Sequence, residues 1–111
     1  MNSPLINQDT FGELQANAGA EFVAELVDTF AEETPGLLAE MRSALAKGAA
    51  EGFRRAAHSI KSNSSTFGAT RLAEMARTLE LSGMPANENP VDALQAELTA
   101  TVAALRELAR G

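Results

Sequence analysis

From Glu21 to Lys47 the apolar residues fall at Phe22, Val23, Leu26, Val27, Phe30, Leu37, Leu38, Met41 and Leu45, a spacing of three and four. That period predicts an amphipathic helix with one buried stripe. Thr34-Pro35 interrupts it. Proline has no backbone N–H but is tolerated in a first helical turn, where Thr34 can serve as N-cap, so the pattern allows either one kinked helix or two in succession. Three further segments carry a stripe of their own: Ala50 to Phe67; Thr70 to Leu81, with Leu72, Met75, Ala76 and Leu79; and Pro90 to Arg110, with Val91, Leu94, Leu98, Val102, Leu105 and Leu108. Gly19, Gly48, Gly68 and the stretch "SGMPANENP", Ser82 to Pro90, separate them. A short additional helix over about residues 9–18, started by Asp9 or Thr10 as N-cap, precedes Gly19 and caps the bundle.

Striped helices joined by short connections bury their stripes most simply against one another, so the expected fold is all-α. It is an antiparallel four-helix bundle, up-down-up-down, with the short N-terminal helix in addition. Burial of each large apolar side chain contributes roughly 1.5–3 kcal/mol to the drive. Met41, Met75 and Met84 read as core filling. The 111 residues, 45% hydrophobic, suffice for one domain, residues 1–111, with the bundle over about 20–110. No tyrosine, tryptophan or cysteine occurs, which favours helix by propensity and excludes disulfides, thiolate catalysis and cysteine-type zinc sites. The N-terminus "MNSPLINQDTFGEL" has neither the basic nor the apolar region of a signal peptide, and the expectation is a cytoplasmic protein that contacts no membrane.

The formal charge of −6 disfavours wholesale binding of nucleic acid or anionic lipid. Its distribution is uneven. Lys47, Arg54, Arg55, Lys61 and Arg71 face Glu51 alone within residues 47–71, which makes that segment +4 and leaves −10 elsewhere. The only histidine, His58, lies inside it.

With Phe53 set at zero on a helix turning about 100° per residue, Ala56, Ala57, Ile60, Ser64 and Phe67 fall within roughly 60° of it and form the core face. His58 falls near 140° and points to solvent, with Arg54, Lys61, Ser62 and Ser65 on neighbouring turns. Arg54 at i−4 and Lys61 at i+3 are close enough to reach a group attached to the ring. Two cations disfavour the protonated imidazole, and a neutral imidazole is a nucleophile. The same cations suit an incoming anion, while Ser62 and Ser65 are small enough to leave the ring accessible. This pattern fits acceptance of a phosphoryl group from an aspartyl phosphate, a transfer that depends on positioning and charge neutralisation.

Other chemistries fit less well. A metal site lacks second ligands at i±4 and faces repulsion from Arg54, Arg55 and Lys61, so no metal is assigned. A Ser-His hydrolase lacks a carboxylate at helical spacing to orient the ring. No glycine-rich nucleotide-binding loop is present, and an autonomous kinase is not supported. Phe67-Gly68 reads as a helix end, with Phe67 in the core and Gly68 left-handed.

The stretch "AAHSIKSNSSTFGATRLAEMARTLE", Ala56 to Glu80, resembles the signature of histidine-containing phosphotransfer (HPt) domains, and is similar to the version at the N-terminus of chemotaxis histidine kinases. His58, Lys61 three residues on, the small residues Ser62 to Ser65, Phe67-Gly68, and Leu72 with Leu79 carry the likeness, and "FVAELVDTFAEETPGLLAEMRSAL" resembles the family's preceding helix. The resemblance implies a four-helix bundle that relays phosphoryl groups between a histidine and receiver-domain aspartates. His58 would be the phosphoacceptor and Lys61 the phosphoryl contact, with Arg54, Arg55, Ser62 and Ser65 forming the docking surface. Partners would be response-regulator receiver domains, a histidine kinase, or both. The chain itself would bind no cofactor, magnesium being held by the receiver, and would act as a free-standing monomer. Ser62 stands where the family commonly has glycine, which bears on how closely a receiver approaches. Two other readings remain: a helical adaptor that binds a receiver or kinase without transfer, and a phosphoacceptor domain cut from a chemotaxis-type kinase, against which the Met1 start and complete bundle argue.

Overall fold

A computed structural model describes residues 5–110, which form five helices and, among the described residues, no strand. They are α1 (Gln8–Ala18), α2 (Ala20–Lys47), α3 (Ala50–Thr66), α4 (Thr70–Ser82) and α5 (Asn89–Arg110). The 28-residue α2 sets the long dimension: at about 1.5 Å per residue it spans roughly 42 Å, matching the 42 Å principal extent of the molecule. α3 packs most extensively on α4 and on α2, while α5 closes against α2 and α4, and α1 lies against α2.

Of the two alternatives at Thr34-Pro35, two helices in succession do not occur, and α2 runs through the proline as one helix. Pro35 is exposed while Thr34 and Leu38 are buried. The Ala31 carbonyl left without a partner by the missing N–H thus lies on the side open to water, and the packed face carries the helix across. The first helix starts one residue earlier than expected, capped by Asn7 instead of Asp9 or Thr10. The Asn7 side chain accepts from the Thr10 N–H at 3.1 Å.

The core gathers one stripe from each helix: Val23, Val27, Phe30, Leu38 and Met41 of α2; Phe53, Ala56, Ala57 and Ile60 of α3; Leu72 and Ala76 of α4; Val91, Leu94, Leu98 and Leu105 of α5. Met41 is fully buried and Met75 and Met84 are half-buried against this cluster, as core filling requires. Phe22 departs from the expected stripe and is 52% exposed. It neighbours Val23, about 100° away around the helix, and Val23 is the one that faces inward.

Gly68 follows α3 with φ +76°, and Phe67 before it is buried, tilted against Phe30 at a centroid distance of 5.3 Å. The Gly68 carbonyl accepts from the Asn7 N–H at 2.7 Å, which ties the start of α1 to the α3–α4 turn. At the opposite side, Arg42 of α2 donates to Glu88 at 2.6 Å and to Asp92 at 2.8 Å, and also to Gln95, fixing the 83–88 loop and the start of α5.

Candidate functional site

α3 positions the site because its inner face is built from small and apolar residues. Phe53, Ala56, Ala57, Ile60 and Ser64 are all buried, and Ser64 satisfies its hydroxyl by donating to the Ile60 carbonyl at 2.6 Å. That orientation turns the opposite face outward. His58, Arg54, Arg55, Ser62 and Ser65 are all exposed, and the His58 side chain is 51% accessible in mid-helix.

The ring is anchored by a residue the sequence reading did not single out. Nδ1 of His58 lies 2.8 Å from Oε2 of Glu80, which reaches across from α4 and is only 10% exposed. No carboxylate stands at helical spacing from His58 on α3, so the search along one helix missed it. The signal was the turn at Gly68-Ala69. Positions equidistant from a tight chain reversal meet, and 58 and 80 are such a pair.

The second Glu80 oxygen, Oε1, lies 3.2 Å from Nζ of Lys61, an ion pair whose alignment leaves Oε1 without a directed hydrogen bond. Glu80 thus bridges the two residues expected to handle a phosphoryl group. The hydrogen bond with His58, and then the Lys61 ammonium, hold the Glu80 carboxyl below its usual range, outweighing the opposing effect of burial. A carboxylate accepting from Nδ1 requires the ring's proton to sit there. Nε2 is left as the lone-pair nitrogen, on a ring half open to solvent.

The basic character of the segment is largely answered from within the chain. Arg54, expected beside the imidazole, is paired with Glu51 one turn back, which raises its pKa and lowers that of Glu51. Lys61 is paired with Glu80, and Arg71 stands 3.5 Å from Glu97 of α5. Arg55 is exposed and makes no ion pair among the described residues. The excess of +4 along the sequence is therefore not a free field of cations in space, because Glu80 and Glu97 come from outside the segment.

Among the described residues no group of three or more His, Asp or Glu side chains converges as a metal site, and no helix is long and apolar enough to cross a membrane. No hydroxyl among the described residues is hydrogen-bonded to the His58 ring, so the His58–Glu80 pair lacks the serine that a hydrolytic triad needs.

Residues 25–106 match the family described as Hpt domain. The fold is similar to the crystal structure of histidine-containing phosphotransfer protein B (HptB) from Pseudomonas aeruginosa PAO1, with a TM-score of 0.76 and 29% sequence identity over 98% of this chain and 94% of that one. No curated protein matches.

Proposed function

This chain belongs to the Hpt domain family, a family of histidine phosphotransfer proteins in phosphorelay signalling, and from that premise we propose that His58 is the residue that carries the phosphoryl group. The observation that carries the assignment is the half-exposed ring held by Glu80 through Nδ1, which leaves Nε2 as the free nitrogen.

In the proposed transfer the Nε2 lone pair attacks the phosphorus of a receiver's aspartyl phosphate. The Nε2–P bond forms as the acyl P–O bond breaks, and the electron pair returns to the aspartate carboxylate. The ring gains positive charge, which Glu80 offsets while keeping the Nδ1 proton. Lys61 leaves Glu80 for the phosphoryl oxygens, a short move for a flexible ammonium already in the site. The return of the phosphoryl group to another aspartate reverses these steps. Catalysis is positioning and charge neutralisation, and a half-exposed imidazole supplies both nucleophile and leaving group.

The magnesium ion that neutralises the phosphoryl oxygens belongs, in this reading, to the receiver's acidic cluster. Ser62 and Ser65, both exposed and small, provide clearance above the ring, and Arg55 is a cation still available to a partner. Four longer helices running up-down-up-down are supported by the packing of α3 on both α2 and α4, and of α5 on both α2 and α4. The working form is a cytoplasmic monomer exchanging phosphate with receiver domains, a histidine kinase, or both. Sedimentation at transfer concentrations and cell fractionation check the first two terms.

Incubation with a phosphorylated receiver and magnesium is expected to place an acid-labile phosphate on His58, and the His58→Gln variant is expected to take up none. Equal labelling of the variant ends the assignment.

A further inference from the structure

The chain reverses between α3 and α4 at Gly68-Ala69, so the pairing of His58 with Glu80 continues along both helices. Lys61 lies three residues nearer the turn than His58, and Arg77 three residues nearer it than Glu80. The two cations thus stand at one level, about 4.5 Å along the helices from the His58–Glu80 pair. Glu80 fixes which flank of α4 faces the site. With the buried Ala76 set at zero, Glu80 falls near +40° and Arg77 near +100°, whereas Leu79 and Met75, packed against the core, fall near −60° and −100°. Arg77 therefore borders the cleft that holds the imidazole, at its outer lip. It is exposed, and among the described residues its guanidinium is in no ion pair, neither with Glu74 one turn before nor with Glu80 one turn after.

We propose that Arg77 is a second phosphoryl contact, its guanidinium closing from the α4 side on the oxygens of the group carried by Nε2 of His58, as Lys61 does from α3. The proposal rests on the reading of His58 as phosphoacceptor and adds a residue to that site. Charge selects it. A phosphoryl group brings a charge of about −1.5 to −2 at pH 7 to a position beside the Glu80 carboxylate, which is only 10% exposed. The phosphorylated ring and the Lys61 ammonium supply one positive charge each, so a deficit of about one charge remains. Lys61 is moreover shared, since it already stands 3.2 Å from Glu80. Arg54, the other cation near the ring, is held by Glu51. Arg77 faces the same cleft with no carboxylate to give up. A guanidinium also suits the task, because its planar fork donates in pairs to phosphoryl oxygens, and an exposed side chain reaches them by a change of rotamer alone.

The test reads the phosphoryl group itself, with no receiver present. Phosphoramidate, a small phosphoryl donor, labels the protein, and phosphorus NMR follows the titration of the phosphohistidine. A cation in contact with the dianion holds its second ionisation low. Arg77→Gln is therefore expected to raise that pKa by about half a pH unit, and Arg77→Lys to keep most of the wild-type value. Lys47→Gln removes an exposed charge of the same sign at the end of α2 and is expected to leave the titration unchanged. With a receiver added, the transfer equilibrium of Arg77→Gln is expected to shift about threefold toward the receiver. A titration in Arg77→Gln that coincides with wild type overturns the proposal. So does an equal rise in Lys47→Gln, which would reflect net charge alone. Wild-type protein that gives no phosphohistidine signal overturns the reading of His58, and with it the role of Arg77. The two failures are distinct, because loss of the Arg77 contact alone leaves wild type and variants labelled and titrating alike.

Discussion

Replacing Gly68 by alanine is expected to destabilise the protein far more than the same change at Gly48, although both glycines have left-handed backbones. Gly48 has φ +71° and ψ +25°, with nothing within 4 Å of where a Cβ would stand. Gly48→Ala therefore carries only the left-handed penalty, about 1–2 kcal/mol. Gly68 has φ +76° and the same penalty, but its Cβ would also lie 2.8 Å from the Asn7 carbonyl oxygen and 2.9 Å from Thr10 Cβ. The first of these is backbone, and it belongs to the residue whose N–H donates to Gly68 O. Relief requires moving the start of α1, which weakens that hydrogen bond, worth about 0.5–1.5 kcal/mol, and loosens the buried Phe11. The sum for Gly68→Ala is about 1.5–3.5 kcal/mol. In a domain of this size that lowers Tm by roughly 7–18 °C, against about 5–10 °C for Gly48→Ala. Urea or thermal unfolding followed by circular dichroism measures both. Equal losses in the two variants would refute the reasoning, since they would mean that the contact between α1 and the α3–α4 turn constrains nothing.

Further outcomes follow from the site and the core. Phe53→Ala, at a fully buried position, is expected to cost about 3–5 kcal/mol in urea unfolding, while phosphate uptake per folded molecule stays unchanged. Glu80→Gln is expected to alter the acid limb of stability. The folded carboxyl is depressed below its usual 4.5, so its contribution is present above that value and is lost as pH falls through the lower folded value. Wild type should therefore exceed the variant in urea midpoint at pH 6, and the gap should close toward pH 3; a gap independent of pH would contradict the assignment. Arg42→Ala is expected to raise hydrogen exchange in the first turns of α5, which Arg42 holds through Glu88, Asp92 and Gln95, without changing labelling of His58.

The helices were legible because each carries a stripe whose period survives the local exceptions. Burial of Phe53, Ala56, Ala57, Ile60, Ser64 and Phe67 follows directly from their angular grouping, and the outward His58 is its complement. What escaped was decided between helices. Pro35 left one helix or two equally open, and packing on the Thr34 and Leu38 face is what keeps α2 as one. Glu80 carries no local mark as a partner of His58, because 22 residues separate them and only the chain reversal joins them. The basic segment looked free for the same reason: the carboxylates that answer Lys61 and Arg71 lie on α4 and α5. A one-dimensional pattern reports which face a residue takes, whereas pairing across faces needs the turn geometry as well.

The most direct measurement is a long-range proton–nitrogen correlation spectrum of the His58 ring, recorded with ring-labelled protein before and after phosphorylation by a receiver. The account predicts a resting ring with its proton on Nδ1, and phosphorus bonded to Nε2 after transfer. A phosphoryl group on Nδ1, or on any residue other than His58, would contradict it.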